Sequence, residues 1–207
     1  MTGRTRARLL VVAATAAALL AAAVVVLLVT LGDTGRPTYR GSSPPGGIGL
    51  PPFVLPDQHG TILDSRSLRG NVVLVTFLDS QCSESCPIIA AVIGRALTLL
   101  TADQRTKVTA LAISTDPAED TPASVLAFLR RHRAENALHY LVAPESELRP
   151  IWRDFQIASS LDSGDDSLHS APVRIYDTRS TWVATQHAGA DLSAESLAHD
   201  IRLAVIA

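Results

Sequence analysis

The sequence predicts an α/β domain behind an N-terminal membrane-spanning segment. Three observations lead there. Apolar runs of strand length alternate with longer runs of helical period from residue 72 onward. A long uncharged stretch opens the chain. The only two cysteines of the 207 residues, Cys82 and Cys86, stand where the first buried strand gives way to a helix.

The N-terminal end is read first. Leu9 to Leu31 holds no charge, glycine or proline. At about 1.5 Å per residue it reaches roughly 35 Å, enough to cross a bilayer. Arg4, Arg6 and Arg8 precede it, so residues 1–8 are expected in the cytoplasm and everything after residue 31 outside. A cleaved signal peptide would carry an apolar core of about 7–15 residues and a small-residue cleavage site. This run is longer and shows no such site, which predicts an uncleaved single-pass anchor in the cell membrane. No cysteine follows it closely, as a lipoprotein anchor would require. Residues 32–50 are rich in Gly, Pro, Ser and Thr and are expected to form a flexible tether, with the folded domain spanning 51–207.

Within that domain, Asp57-Gln58-His59-Gly60 is a turn signal between two short apolar runs, predicting a small hairpin. Val72 to Leu78 is almost wholly apolar, as a central parallel strand is. Pro87 to Leu100 has helical spacing, and Val108 to Thr115 reads as a second buried strand. Thr121-Pro122 is an N-cap and first-turn pair opening a helix through Arg131. His139 to Ala143 is a short strand and Glu145 to Phe155 a helix. Residues 156–171 form a long polar loop. Pro172 to Tyr176 and Thr181 to Gln186 make a closing hairpin, and Ser193 to Val205 a terminal helix.

Charge excludes one class of partner. From residue 51 onward there are 13 Arg or Lys against 19 Asp or Glu, a net of −6. An acidic domain of this kind argues against nucleic-acid binding.

Chemistry concentrates at the cysteines. A helix N-terminus offers unpaired N–H groups and partial positive charge, which favours thiolate over thiol. Thiolate is both a nucleophile and a soft metal ligand. The spacing permits a disulfide bond or a metal site. A static staple explains little, because the loop it would close is tiny and its entropic contribution small. Asp79 and Glu84 oppose thiolate formation and favour a bound cation.

The run Val75-Thr76-Phe77 followed by Cys82-x3-Cys86-Pro87 resembles the Sco/SenC family of copper proteins. Ser114-Thr115-Asp116-Pro117, continuing to Asp120-Thr121-Pro122, is similar to a second segment of that family. His169-Ser170, before a strand ending in Tyr176-Asp177, resembles its metal-binding histidine segment. The resemblance covers most of residues 52–187. It implies a thioredoxin-like domain, a central mixed sheet flanked by helices. It also implies copper, Cu(I) or Cu(II), held by Cys82, Cys86 and His169. The implied activity is that of an extracytoplasmic metallochaperone for the dinuclear copper site of cytochrome c oxidase. Its partners would be subunit II or a copper-donor protein. Asp116 and Asp120 are read mainly as turn and cap residues. His59, His132, His139, His187 and His199 match nothing in the family and are expected at the surface.

Two features point to a thiol–disulfide oxidoreductase as the alternative, with Cys82 attacking and Cys86 resolving. Ser83 stands where the family usually has proline. Ala171-Pro172-Val173 resembles the cis-proline segment that faces the cysteine pair in thioredoxin-like oxidoreductases, which predicts a cis bond there.

Overall fold

The computed structural model describes residues 15–25, 38–157 and 171–207. The chain divides between Thr38 and Tyr39. In the first unit, residues 15–25 are helical (α1) and expose Leu19, Leu20, Val24 and Val25. The expected span 9–31 lies partly outside the described residues. Among the described residues, no helix is long and apolar enough to cross a membrane.

The second unit is built on a five-stranded sheet. All seven residues of β3 (Val72–Leu78) are buried, which fits a strand covered on both faces. It pairs in parallel with β4 (Val108–Ser114), which pairs in parallel with β5 (His139–Leu141). On its other side β3 runs antiparallel to β6 (Pro172–Tyr176), which pairs with β7 (Trp182–His187). The order is therefore β5-β4-β3-β6-β7, a mixed sheet. A separate hairpin joins β1 (Val54–Pro56) and β2 (Ile62–Asp64).

Alternate residues of β3 feed two cores. Val72, Leu74 and Leu78 face the helices α2 (Ser85–Thr98), α4 (Pro122–Arg131) and α6 (Ala194–Ile206). Val73, Val75 and Phe77 face α5 (Glu145–Asp154), with Phe53, Leu55 and Phe155 closing that layer. A short helix, α3 (Ala102–Arg105), stands in a stretch the sequence left unassigned. Its Thr101 and Gln104 form a reciprocal capping box.

The strands fall close to their predicted positions, and α4 starts at the expected Thr121 cap, whose side chain accepts from the Ser124 N–H. Helix α2 begins at Ser85, two residues before the expected start. Pro87 still fits, because N–H groups in the first turn lack intrahelical partners. α2 also needs Gly94, since a Cβ there would lie 2.7 Å from the Arg133 carbonyl oxygen.

Two expectations are corrected. The bond before Pro172 is trans: no cis peptide occurs among the described residues. Pro172 opens β6 opposite His187, at the first position of a strand, where its missing N–H is tolerated. The second correction concerns residues 39–50, assigned above to the tether. They lie along β7. Ser42 bridges Thr185, Gly49 bridges Thr181, and the Trp182 N–H donates to the Ile48 carbonyl at 2.8 Å. The buried Asp200 of α6 accepts the N–H groups of Arg40 and Gly41 at 2.7 and 2.9 Å. The strap covers an open sheet edge that would otherwise present unpaired backbone groups.

Candidate metal centre

β3 ends at Leu78, and the chain crosses to α2 through residues 79–84. Local hydrogen bonds shape this crossing. The Asp79 carboxylate accepts from the Gln81 N–H at 2.6 Å, and the Asp79 carbonyl accepts from the Cys82 N–H at 3.3 Å. The crossing is tied to the neighbouring loop by Asp120. That carboxylate is 1% exposed. It accepts from the Ser80 N–H at 2.8 Å, the Ser114 hydroxyl at 2.7 Å and the Tyr140 hydroxyl at 2.8 Å. Burial pushes its pKa above the usual carboxylate range, against the pull of these donors.

Cys86, in the first turn of α2, is buried, while Cys82 is half-exposed just before it. Both are free thiols. Glu84, at the N-cap, makes no side-chain cap bond. The Cys82 sulfur takes that role. It accepts from the Cys86 thiol and from the backbone N–H groups of Cys86, Glu84 and Ser85, which together lower its pKa to about 5. Cys86 is pushed far up, first by donating to Cys82 and then by burial. The pair therefore holds one thiolate and one thiol, sharing a hydrogen bond. Asp79, half-buried, is raised in pKa by desolvation and then by Asp120, Asp116 and Cys82.

The structure thus brings Cys82, Cys86 and Asp79 together, while the expected third ligand, His169, lies outside the described residues. Among the described residues no group of three or more His, Cys, Asp or Glu is assembled for a metal. The donor chemistry present is that of two sulfurs, one already ionised, which suits a soft ion such as Cu(I). Glu84 is exposed. Asp116 is a turn residue as expected, accepting from the Ala118 N–H at 3.2 Å.

Asp120 departs from its reading as a cap. Standing in Asp-Thr-Pro before a helix, it looks like a local turn residue, yet its carboxylate turns inward across the sheet edge. The available signal was Tyr140: a buried tyrosine in a strand needs a hydroxyl partner. Two histidines expected merely at the surface are paired. His139 Nδ1 lies 3.0 Å from the buried Asp57 carboxylate, and His199 Nδ1 lies 3.1 Å from Asp200.

A mixed sheet of this order, with a dithiol where its central strand meets a helix, defines a thioredoxin-like domain with a cysteine-pair centre. Comparison with known proteins narrows the class. The sequence model of the SCO1/SenC family matches residues 44–205. The SCO2-like protein of Rickettsia conorii is 25% identical over 114 residues, 55% of this chain. The match spans about half of that relative, 54% of its length. Among solved structures, Bradyrhizobium japonicum ScoI with copper bound superposes with a TM-score of 0.61 at 26% identity, over 75% of this chain and 98% of that one. BsSco, a Sco-family cytochrome c oxidase assembly protein with a disulfide switch, superposes with a TM-score of 0.65 at 19% identity, over 80% of this chain and 98% of that one. The chain belongs to the SCO1/SenC family.

Proposed function

We propose that this chain is a copper chaperone, anchored by residues 9–31 with its domain outside the cytoplasm, that serves assembly of the dinuclear copper site of cytochrome c oxidase. The observation that carries the reading is the Cys82–Cys86 pair, two free cysteines side by side at a helix N-terminus in a chain that the SCO1/SenC model matches over residues 44–205. Copper is the cargo. Cys82 supplies a thiolate without prior deprotonation at neutral pH, and Cys86 gives up its proton as the ion is taken. His169 supplies an imidazole, which lets a mainly thiolate site also hold Cu(II). Release proceeds by ligand exchange with subunit II, and loading from a donor protein by the same exchange in reverse.

The family membership and the copper-bound state of the Bradyrhizobium japonicum relative support this reading. Copper titration of the reduced full chain tests it, with spectra of wild type, Cys82→Ser and His169→Ala. Both variants are expected to lose affinity. Unchanged binding of both oxidation states in His169→Ala would remove the third ligand.

The same asymmetry supports the second reading, thiol–disulfide exchange. The Cys82 thiolate would attack a partner disulfide and release one partner thiolate. Cys86, losing its proton, would then attack the Cys82 sulfur, leaving a Cys82–Cys86 disulfide and a reduced partner. The trans bond at Pro172 removes one of the two features that favoured it. A mixed disulfide trapped by Cys86→Ser, forming at normal rate in a His169→Ala background, would favour this second reading.

A further inference from the structure

At the same sheet edge as the cysteines, but over the opposite face, lies a cavity of about 520 Å³. Phe77, Thr115, Pro172, Trp182 and, from the strap, Ser42 are among the residues that line it. Arg174 of β6 enters it. The guanidinium carbon sits 4.4 Å from the centroid of the Trp182 ring and 5.8 Å from that of Phe155. Trp182 is itself fixed, donating its indole N–H to the Ala184 carbonyl and to Thr185 Oγ1, both at 3.0 Å. The Arg174 Nε is buried and has no hydrogen-bond acceptor among the described residues. No Asp or Glu is among the described residues that line the cavity.

This is an uncommon arrangement. A guanidinium in a strand is normally matched by a carboxylate, because a buried donor left unmet costs about 1–3 kcal/mol. Stacking on tryptophan offsets part of that cost and holds the fork in one orientation. A fixed fork whose Nε meets no acceptor, and no acid, among the described residues of the lining fits a single carboxylate, bound through two parallel N–H···O bonds. One cation calls for one negative charge, and Phe77, Trp182 and Pro172 call for an apolar body behind it. The volume lies within the range of small-molecule sites, about 300–1,000 Å³. We propose that this cavity binds a small organic carboxylate, with Arg174 as its anchor and Trp182 as the platform. The site is independent of the copper reading, since it shares no residue with the cysteine pair.

Calorimetric titration of the full chain with benzoate tests this, against benzamide, which keeps the ring and lacks the charge, and inorganic phosphate, which has charge and no apolar body. Saturable benzoate binding is expected, with both controls weaker by about tenfold or more. Arg174→Met is expected to weaken benzoate by a similar factor, and Cys82→Ser to leave it unchanged. In wild type, benzoate is also expected to shift the Trp182 indole N–H resonance, a readout that does not depend on any variant folding. Absence of saturable binding, equal binding of benzamide, or no shift at Trp182 would overturn the proposal. So would unchanged binding in a folded Arg174→Met.

Discussion

Replacing Asp120 tests whether the cysteine crossing is held by a buried carboxylate or merely lies near one. Asp120→Ala removes the acceptor for three donors. Two of these, the hydroxyls of Ser114 and Tyr140, belong to residues with no exposed surface. The third is the Ser80 N–H, two residues before Cys82. At about 1–3 kcal/mol for each buried donor left unmet, and less for the part-buried N–H, the loss is about 3–5 kcal/mol. Asp120→Asn behaves differently. Its amide oxygen still accepts, and its NH₂ can donate to either hydroxyl, so the cost is about 1 kcal/mol or less. The pH dependence carries the sharper sign. Burial raises the native pKa of Asp120, so ionisation is harder folded than unfolded. The stabilisation is complete below the unfolded value, about 4, and is lost as pH rises through the raised native value. Asn does not titrate, so Asp120→Asn gains stability relative to wild type as pH rises through that window. Urea unfolding of wild type and both variants across that range is the assay. An alanine cost under about 1 kcal/mol, or an Asn-minus-wild-type difference flat or falling with pH, would refute the reasoning.

Cys86→Ala removes the leading cause of the low Cys82 pKa and is expected to move the pH midpoint of Cys82 alkylation upward from about 5. A midpoint unmoved in the variant would assign the depression to the helix N–H groups alone. Asp200→Ala frees the N–H groups of Arg40 and Gly41 and the Gln186 amide, which donates to the same carboxylate at 2.7 Å. Limited proteolysis is expected to cut residues 39–50 faster in that variant while the region from residue 51 onward persists. Equal rates would show that the strap is held by its β7 bridges alone.

What was legible in the chain follows from the range of the forces involved. β3 and β4 could be read because a strand buried on both faces has no polar alternation to hide it. The start of α4 could be read because the cap bond of Thr121 reaches only three residues, to the Ser124 N–H. The cysteine pair could be placed because a strand end and a helix start are both local signals. Asp120 could not be read in the same way: its partners Ser80 and Tyr140 are 40 and 20 residues distant, and nothing in Asp-Thr-Pro distinguishes an outward carboxylate from an inward one. The strap failed for a related reason. Gly, Pro and Ser make a segment without a core of its own, but they do not reveal that β7 offers a free edge more than 130 residues later. Gly41 is small because its missing Cβ would sit 2.6 Å from the Thr185 carbonyl oxygen, a packing reason that resembles linker composition.

The geometry also bears on how the two functional readings relate. Both require Cys82 as thiolate, and both need Cys86 to lose a proton later, so the dithiol does not choose between them. The choice lies in what meets the pair from outside. Thiol exchange needs only a partner disulfide reaching the half-exposed Cys82. The proposed copper reading adds a third donor, because two thiolates suit Cu(I) and an added imidazole lets the same site hold Cu(II). Asp79 is the one acid the described residues place at the pair, and desolvation and neighbouring acids disfavour its ionised form. A carboxyl held toward neutrality is a poor ligand for a soft cation. On the proposed copper reading the third donor is His169, so substitution there would separate the two readings, since both of them use Cys82 and Cys86.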